Sequence, residues 1–280
     1  MTQTQRVKWG KALVVLLLAG GSLVFLLPFY TSLAMSLKTP EELATTSAWS
    51  WPQNVTWSNY SEVLTNPNVN FFKLFWNTVI IASLATLGVI LSSSLVAYAF
   101  AKMSFMGRDR LFTVLLSTMM LPAIVTMIPT YFLFKELRWI NTILPLTVPA
   151  FFGGGAFNIF LLRQFFLGIP KELDEAAKIE GAGHWTIYSR IVMPLSGSAL
   201  ATVGIFCFIY NWRDFMGPLI YLSDPDKQTL EIGLSTYNSL RAEQWHLLMA
   251  GSVMVTLPLV VIFLLGQRYF VKGMTLTGLK

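Results

Sequence analysis

The residues able to do chemistry are few in this chain, and the densest group of them is Tyr210-Asn211-Trp212-Arg213-Asp214. An aromatic ring beside amides and charges suits a sugar, because the ring covers an apolar sugar face while polar groups take the hydroxyls. Arg213 and Asp214 are neighbours in sequence, point in different directions, and so do not simply neutralise each other. Two roles stand open for these charges: contact with a ligand, or pairing with another subunit that holds helices together. Asn77, Asn158 and Ser92-Ser93-Ser94 could line a path, although small polar residues are also packing contacts between membrane helices. Cys207 is the one cysteine, and His184 and His246 are the two histidines, so no disulfide framework or cysteine-ligated metal site is encoded. The sequence has no Walker A pattern, and the chain therefore does not cradle ATP phosphates itself. Any ATPase that drives transport is a separate polypeptide.

The elements that must position these residues follow from composition. Asp, Glu, Lys and Arg make up 12% of 280 residues, against about 25% in globular domains. Apolar residues make up 54%, too many for a water-soluble globule and far too many for a disordered chain. A net charge of +6 would suggest nucleic acid in a soluble protein. In a multi-spanning membrane protein it reflects basic cytoplasmic loops, and no nucleic-acid partner is expected. Six apolar runs are long enough to span a bilayer, which takes about 20 residues each. They run from Ala12 to Leu37, Leu74 to Ala101, Leu111 to Phe134, Ile143 to Leu162, Ala199 to Leu222 and Leu247 to Gly266. The first is too long for a signal-peptide core and reads as an uncleaved helix. The expected fold is all-α and polytopic, a single transmembrane domain over 1–280.

An even number of spans places both termini on one side. The loops on that side carry thirteen cations, among them Lys11, Lys102, Arg108, Arg110, Arg163, Lys171, Lys178 and Lys280, against six in the opposite set. Both termini are therefore expected in the cytoplasm. This arrangement also puts His184 and His246 on opposite faces, where they cannot share a metal. Trp49, Trp51 and Trp57 fall in an outer loop, where aromatic side chains suit the membrane interface.

The largest cytoplasmic loop, 163–197, joins the fourth and fifth spans. Pro170 suits the first turn of a helix, and Leu173, Ala176, Ala177 and Glu180 then share one face at i, i+3, i+4 and i+7, with Gly181 and Gly183 placed to stop it. Two alanines allow close approach to a partner, and Glu175 can meet its Arg or Lys. An amphipathic helix lying on lipid headgroups is the plainer alternative.

A longer pattern separates the two. Glu175-Ala176-Ala177, Gly181, Ile191 and Met193-Pro194 reproduce a spacing in which E-A-A is followed after three residues by G and after nine more by I-x-L-P, with Met193 in place of Leu. This resembles the loop of permease subunits in binding-protein-dependent ABC importers. Asn77-Thr78, Ala97-Tyr98-Ala99, Gly107-Arg108, Leu121-Pro122, Ile128-Pro129-x-Tyr131 and Phe160 to Phe166 look like its carbohydrate branch, over about 74–271. The resemblance implies six transmembrane helices with a cytoplasmic coupling helix between the fourth and fifth, and assigns coupling to Glu175, Ala176, Ala177 and Gly181. It implies a second homologous permease, a dimer of ATP-binding subunits that holds ATP and Mg, an extracytoplasmic solute-binding protein, and residence in the bacterial inner membrane. No cofactor and no catalysis are expected of this chain itself. Where Arg213 stands, the family often has Asn, which leaves an anionic sugar open. From a different class, a proton-coupled sugar transporter using Asp214 is the alternative.

Overall fold

The computed structural model describes residues 3–67, 69–240 and 244–276, and every regular element among them is helical. In chain order these are α1 (Gln3–Ser36), α2 (Pro40–Thr45), α3 (Ser58–Thr65), α4 (Phe71–Lys102), α5 (Arg108–Ser117), α6 (Ala123–Glu136), α7 (Leu144–Thr147) and α8 (Ala156–Leu167). There follow α9 (Lys171–Ile179), α10 (His184–Ile187), α11 (Met193–Leu195), α12 (Gly197–Trp212), α13 (Met216–Tyr221), α14 (Leu230–Leu240) and α15 (Trp245–Leu276). Arg241 and Lys280, which enter the orientation argument, lie outside the described residues.

Four segments are long and apolar enough to cross a membrane: Leu13–Ser36, Phe71–Lys102, Leu144–Leu167 and Trp245–Arg268. Two bent pairs bring the number to six if each counts as one span. Arg108–Met120 meets Ala123–Glu136 at 96°, because Leu121 is extended before Pro122, as a residue preceding proline tends to be. His184–Leu195 meets Gly197–Trp212 at 78°. The expected run from Ala199 to Leu222 is not continuous: α12 ends at Trp212, and α13 begins only at Met216.

The described residues fall into two compact units. The first comprises 1–71 and 234–257. Its α1 is apolar on nearly every side from Leu13 to Leu27, and every large apolar side chain in that stretch is exposed, as suits a helix facing lipid or another subunit. Beyond α1 the chain folds around Lys38, which is fully buried. Its ammonium donates to Thr46 Oγ1 at 3.1 Å, Ser47 O at 2.7 Å and Ser50 Oγ at 2.8 Å. The Asn59 amide donates to the Ser36 and Lys38 carbonyls, both at 2.9 Å, and so satisfies groups that the end of α1 would leave bare. Trp49, Trp51 and Trp57 stay exposed on this segment, with Trp51 stacked on Tyr30.

The second unit comprises 72–233 and 258–280. Its core is built from α4 (Ala97, Tyr98, Ala101), α8 (Ile159, Leu162, Phe166) and α12 (Ala199, Val203, Cys207), closed by Ile187, Tyr188 and Val192. The last two of these lie in a π-helical turn, Tyr188–Val192.

Replacing Lys38 by Met leaves three oxygens without their donor. It should weaken the segment after α1 by about 1–3 kcal/mol, seen as faster hydrogen exchange across residues 37–60 in detergent. Wild-type exchange rates there would show that the cation does not organise the segment.

Candidate functional site

α9 is assembled by local rules. Pro170 precedes it, Glu172 and Asp174 occupy its first turn and Lys178 its last, each with the charge that the local end of a helix favours. Gly181 ends it at φ +86, a left-handed conformation suited to glycine. There Gly181 N–H donates to Lys178 O at 3.0 Å and Ala182 N–H to Ala177 O at 2.9 Å. Of the expected face, only Ala177 packs against its own chain. Leu173, Ala176 and Glu180 are exposed, as are Glu175 and Ile179. The buried face is instead Asp174 with Ala177.

Asp174 turns inward because its charge is met there. Lys102 Nζ lies 2.8 Å from Asp174 Oδ2, in an ion pair whose side chains are 5% and 11% exposed, and it also donates to Ile169 O at 2.9 Å. Further along α4, Tyr98 OH is 3.3 Å from His184 Nδ1, and Ser94 Oγ is 2.8 Å from Tyr188 OH. The sequence singles out neither Lys102 nor Asp174 as a site, and Tyr98 enters only within Ala97-Tyr98-Ala99. Their signal is the spacing of Ser94, Tyr98 and Lys102 at i, i+4 and i+8, one stripe along α4.

The other candidates divide. Asn158 and Asn211 line one cavity of about 500 Å³, together with Phe157, Phe206 and Tyr210. Each amide donates to the carbonyl four residues before it, Asn158 to Gly154 O and Asn211 to Cys207 O, both at 2.7 Å, which fixes how it faces the space. The floor of the cavity is the break between α7 and α8, where Gly153, Gly154 and Gly155 all have positive φ. Gly154 also sits so near α4 that a Cβ there would lie 2.9 Å from Ser93 N. Ser92 Oγ donates to Ala150 O at 2.7 Å across the same junction. A larger hollow of about 940 Å³, between Ile90, Leu200, Gly204 and Ile262, is mostly apolar, with Gln267 and Arg268 also in its lining.

The remaining candidates are held in other contacts. Trp212 is buried, its ring against Phe75 and Phe208 at centroid distances of 5.8 and 5.5 Å, and so does not line the cavity. Asp214 Oδ1 accepts from Gly217 N at 3.1 Å and caps the turn into α13. Asn77 Nδ2 donates to Asp226 O at 3.0 Å and Gln228 O at 2.9 Å, and neighbouring Thr78 Oγ1 accepts from Leu230 N at 2.9 Å. Arg213 is exposed at the end of α12. Burial pushes the Glu231 carboxyl above the usual carboxylate range, and the Arg213 charge pulls it back.

Residues 88–276 match the family model described as binding-protein-dependent transport system inner membrane component. The chain is 35% identical over 229 residues to the arabinooligosaccharides transport system permease protein of Halalkalibacterium halodurans, covering 82% of this chain and 81% of that one. It is likewise 35% identical to the trehalose/maltose transport system permease protein of Thermococcus litoralis, over 80% and 81% of the two chains. Its fold superposes with a TM-score of 0.81, at 24% identity, on a chain of a bacterial ABC transporter involved in the import of the acidic polysaccharide alginate, covering 96% of this chain and 99% of that chain.

Proposed function

We propose, given that this chain belongs to the family of binding-protein-dependent transport system inner membrane components, that it is one of two permease subunits of an ATP-driven carbohydrate importer. The observation that carries this is the uncovered face of α9, small and flat at Ala176, edged by Leu173 and Glu175, and backed by a buried ion pair. A surface helix seated on lipid would turn its apolar side to the membrane. Here a free face of mixed chemistry stands opposite an anchored one, as a protein groove requires. The groove would belong to a dimer of ATP-binding subunits, which would hold ATP and Mg and do the hydrolysis.

In this reading six spans, with both termini cytoplasmic, form one permease domain over 1–280, with its family-like core at 74–271. Closure of the ATPase dimer pulls α9 through Glu175, Ala176, Ala177 and Gly181, and the spans rotate. The cavity of Asn158 and Asn211 then opens outward to a solute-binding protein, and hydrolysis returns it inward. The exposed α1 suits the second permease or lipid. Relatives named for arabinooligosaccharides and for trehalose and maltose support a carbohydrate. Amides beside Phe157, Phe206 and Tyr210 suit a neutral one. A proton-coupled transporter has less support, since the Asp214 carboxylate caps a helix turn.

The deciding experiment is reconstitution with the ATPase and binding protein while candidate carbohydrates are screened. Hydrolysis stimulated by one loaded binding protein supports the reading, and uptake without ATP overturns it. Glu175→Ala and Gly181→Asp should each abolish uptake at unchanged membrane levels, and normal uptake by both would remove α9 from coupling. Asn158→Leu and Asn211→Leu should each lower carbohydrate uptake by about tenfold, the loss of one or two hydrogen bonds. Unchanged kinetics would place the pathway elsewhere. Cysteines at Asp109 and Lys178 should label from inside, and those at Thr46, Arg138 and Asp226 from outside. Outer labelling at Lys178→Cys would invert the topology.

A further inference from the structure

Ser94, Tyr98 and Lys102 form one stripe along α4, and each meets a different part of the segment that carries the docking face. Lys102 holds its start, at Ile169 and Asp174. Tyr98 holds His184, where the return limb begins. Ser94 holds Tyr188, the first residue of the π-helical turn, a rare winding that is often found at functional sites. All three α4 positions are closed to solvent, where a polar contact is harder to exchange for water. Both limbs of the segment are therefore tied to a single helix. The far end of that helix is tied as well, because Asn77 and Thr78 take the backbone of residues 226, 228 and 230.

We infer that α4 is the member that carries movement of the docking face across the membrane to the 224–230 loop, and that Lys102, Tyr98 and Ser94 are positioning residues that make α4 and the 169–192 segment move as one body. An unbroken helix of 26 residues from Asn77 to Lys102 spans about 38 Å and can carry a displacement along its length. Apolar packing alone lets two helices slide. Three polar contacts at fixed spacing do not.

This rests on the reading of α9 as the ATPase docking face, so the test must separate the two. The wild-type chain is first reconstituted with its complete complex in proteoliposomes. Absence of ATP-dependent uptake there removes the importer reading, and the inference with it. With an active wild type, Lys102→Met should still assemble and hydrolyse ATP while the solute imported per ATP falls by about tenfold. The charge exchange Lys102→Asp with Asp174→Lys should recover most of that ratio. Tyr98→Phe, which removes only the hydroxyl, should lower it less, and it decides the matter if Lys102→Met does not accumulate. A wild-type ratio in Lys102→Met, or in Tyr98→Phe where Lys102→Met is lost, would overturn the inference and leave α9 standing as the docking face. So would a deficit that the charge exchange does not repair.

Discussion

Hydrocarbon offers no hydrogen-bond partner to a backbone, and that one constraint shapes most of this chain. A segment in the bilayer must be helical or must satisfy every freed group from nearby side chains. The interruptions follow this rule. Between α7 and α8, Ser92 and Asn158 reach the Ala150 and Gly154 carbonyls. Between α12 and α13, the Asp214 carboxylate takes the Gly217 N–H. Polar side chains therefore concentrate where helices break, and the cavity with its two amides lies at one such break. The polar lining of that cavity includes Asn158, which also serves the broken backbone.

The same constraint makes the Lys102–Asp174 pair informative. Buried ion pairs are expensive to desolvate, and apolar side chains of similar size often hold helices as firmly. What the pair adds is a single register. It turns Asp174 and Ala177 inward and so presents Leu173, Ala176 and Glu175 to whatever lies beyond the membrane. The exposed face of α9 is defined as much by the charge behind it as by Ala176 on it.

Much of this was legible in the sequence. Long apolar runs announced helices, and the E-A-A to G spacing located α9 and its glycine stop. Periodicity misjudged its faces, because a rule that buries apolar positions cannot foresee a carboxylate whose lysine lies some seventy residues earlier. It also joined residues 199–222 into one span, since hydropathy averages over Arg213 and Asp214 while backbone geometry does not. Trp212 looked like a sugar platform from its neighbours and is instead core. A ring's environment is set by helices distant in sequence, which composition does not report.

The burial of Lys38 bears on how the chain is made. Its ammonium finds every acceptor within twelve residues, at Thr46, Ser47 and Ser50, and the carbonyls around it are closed by Asn59, twenty-one residues on. Among the described residues, every acceptor of that ammonium belongs to this segment. Closing loops of this length is fast and entropically mild. These hydrogen bonds therefore need no residue beyond Asn59. A cation held within its own loop in this way is costly to draw back through hydrocarbon, and so it opposes inversion of the first helix.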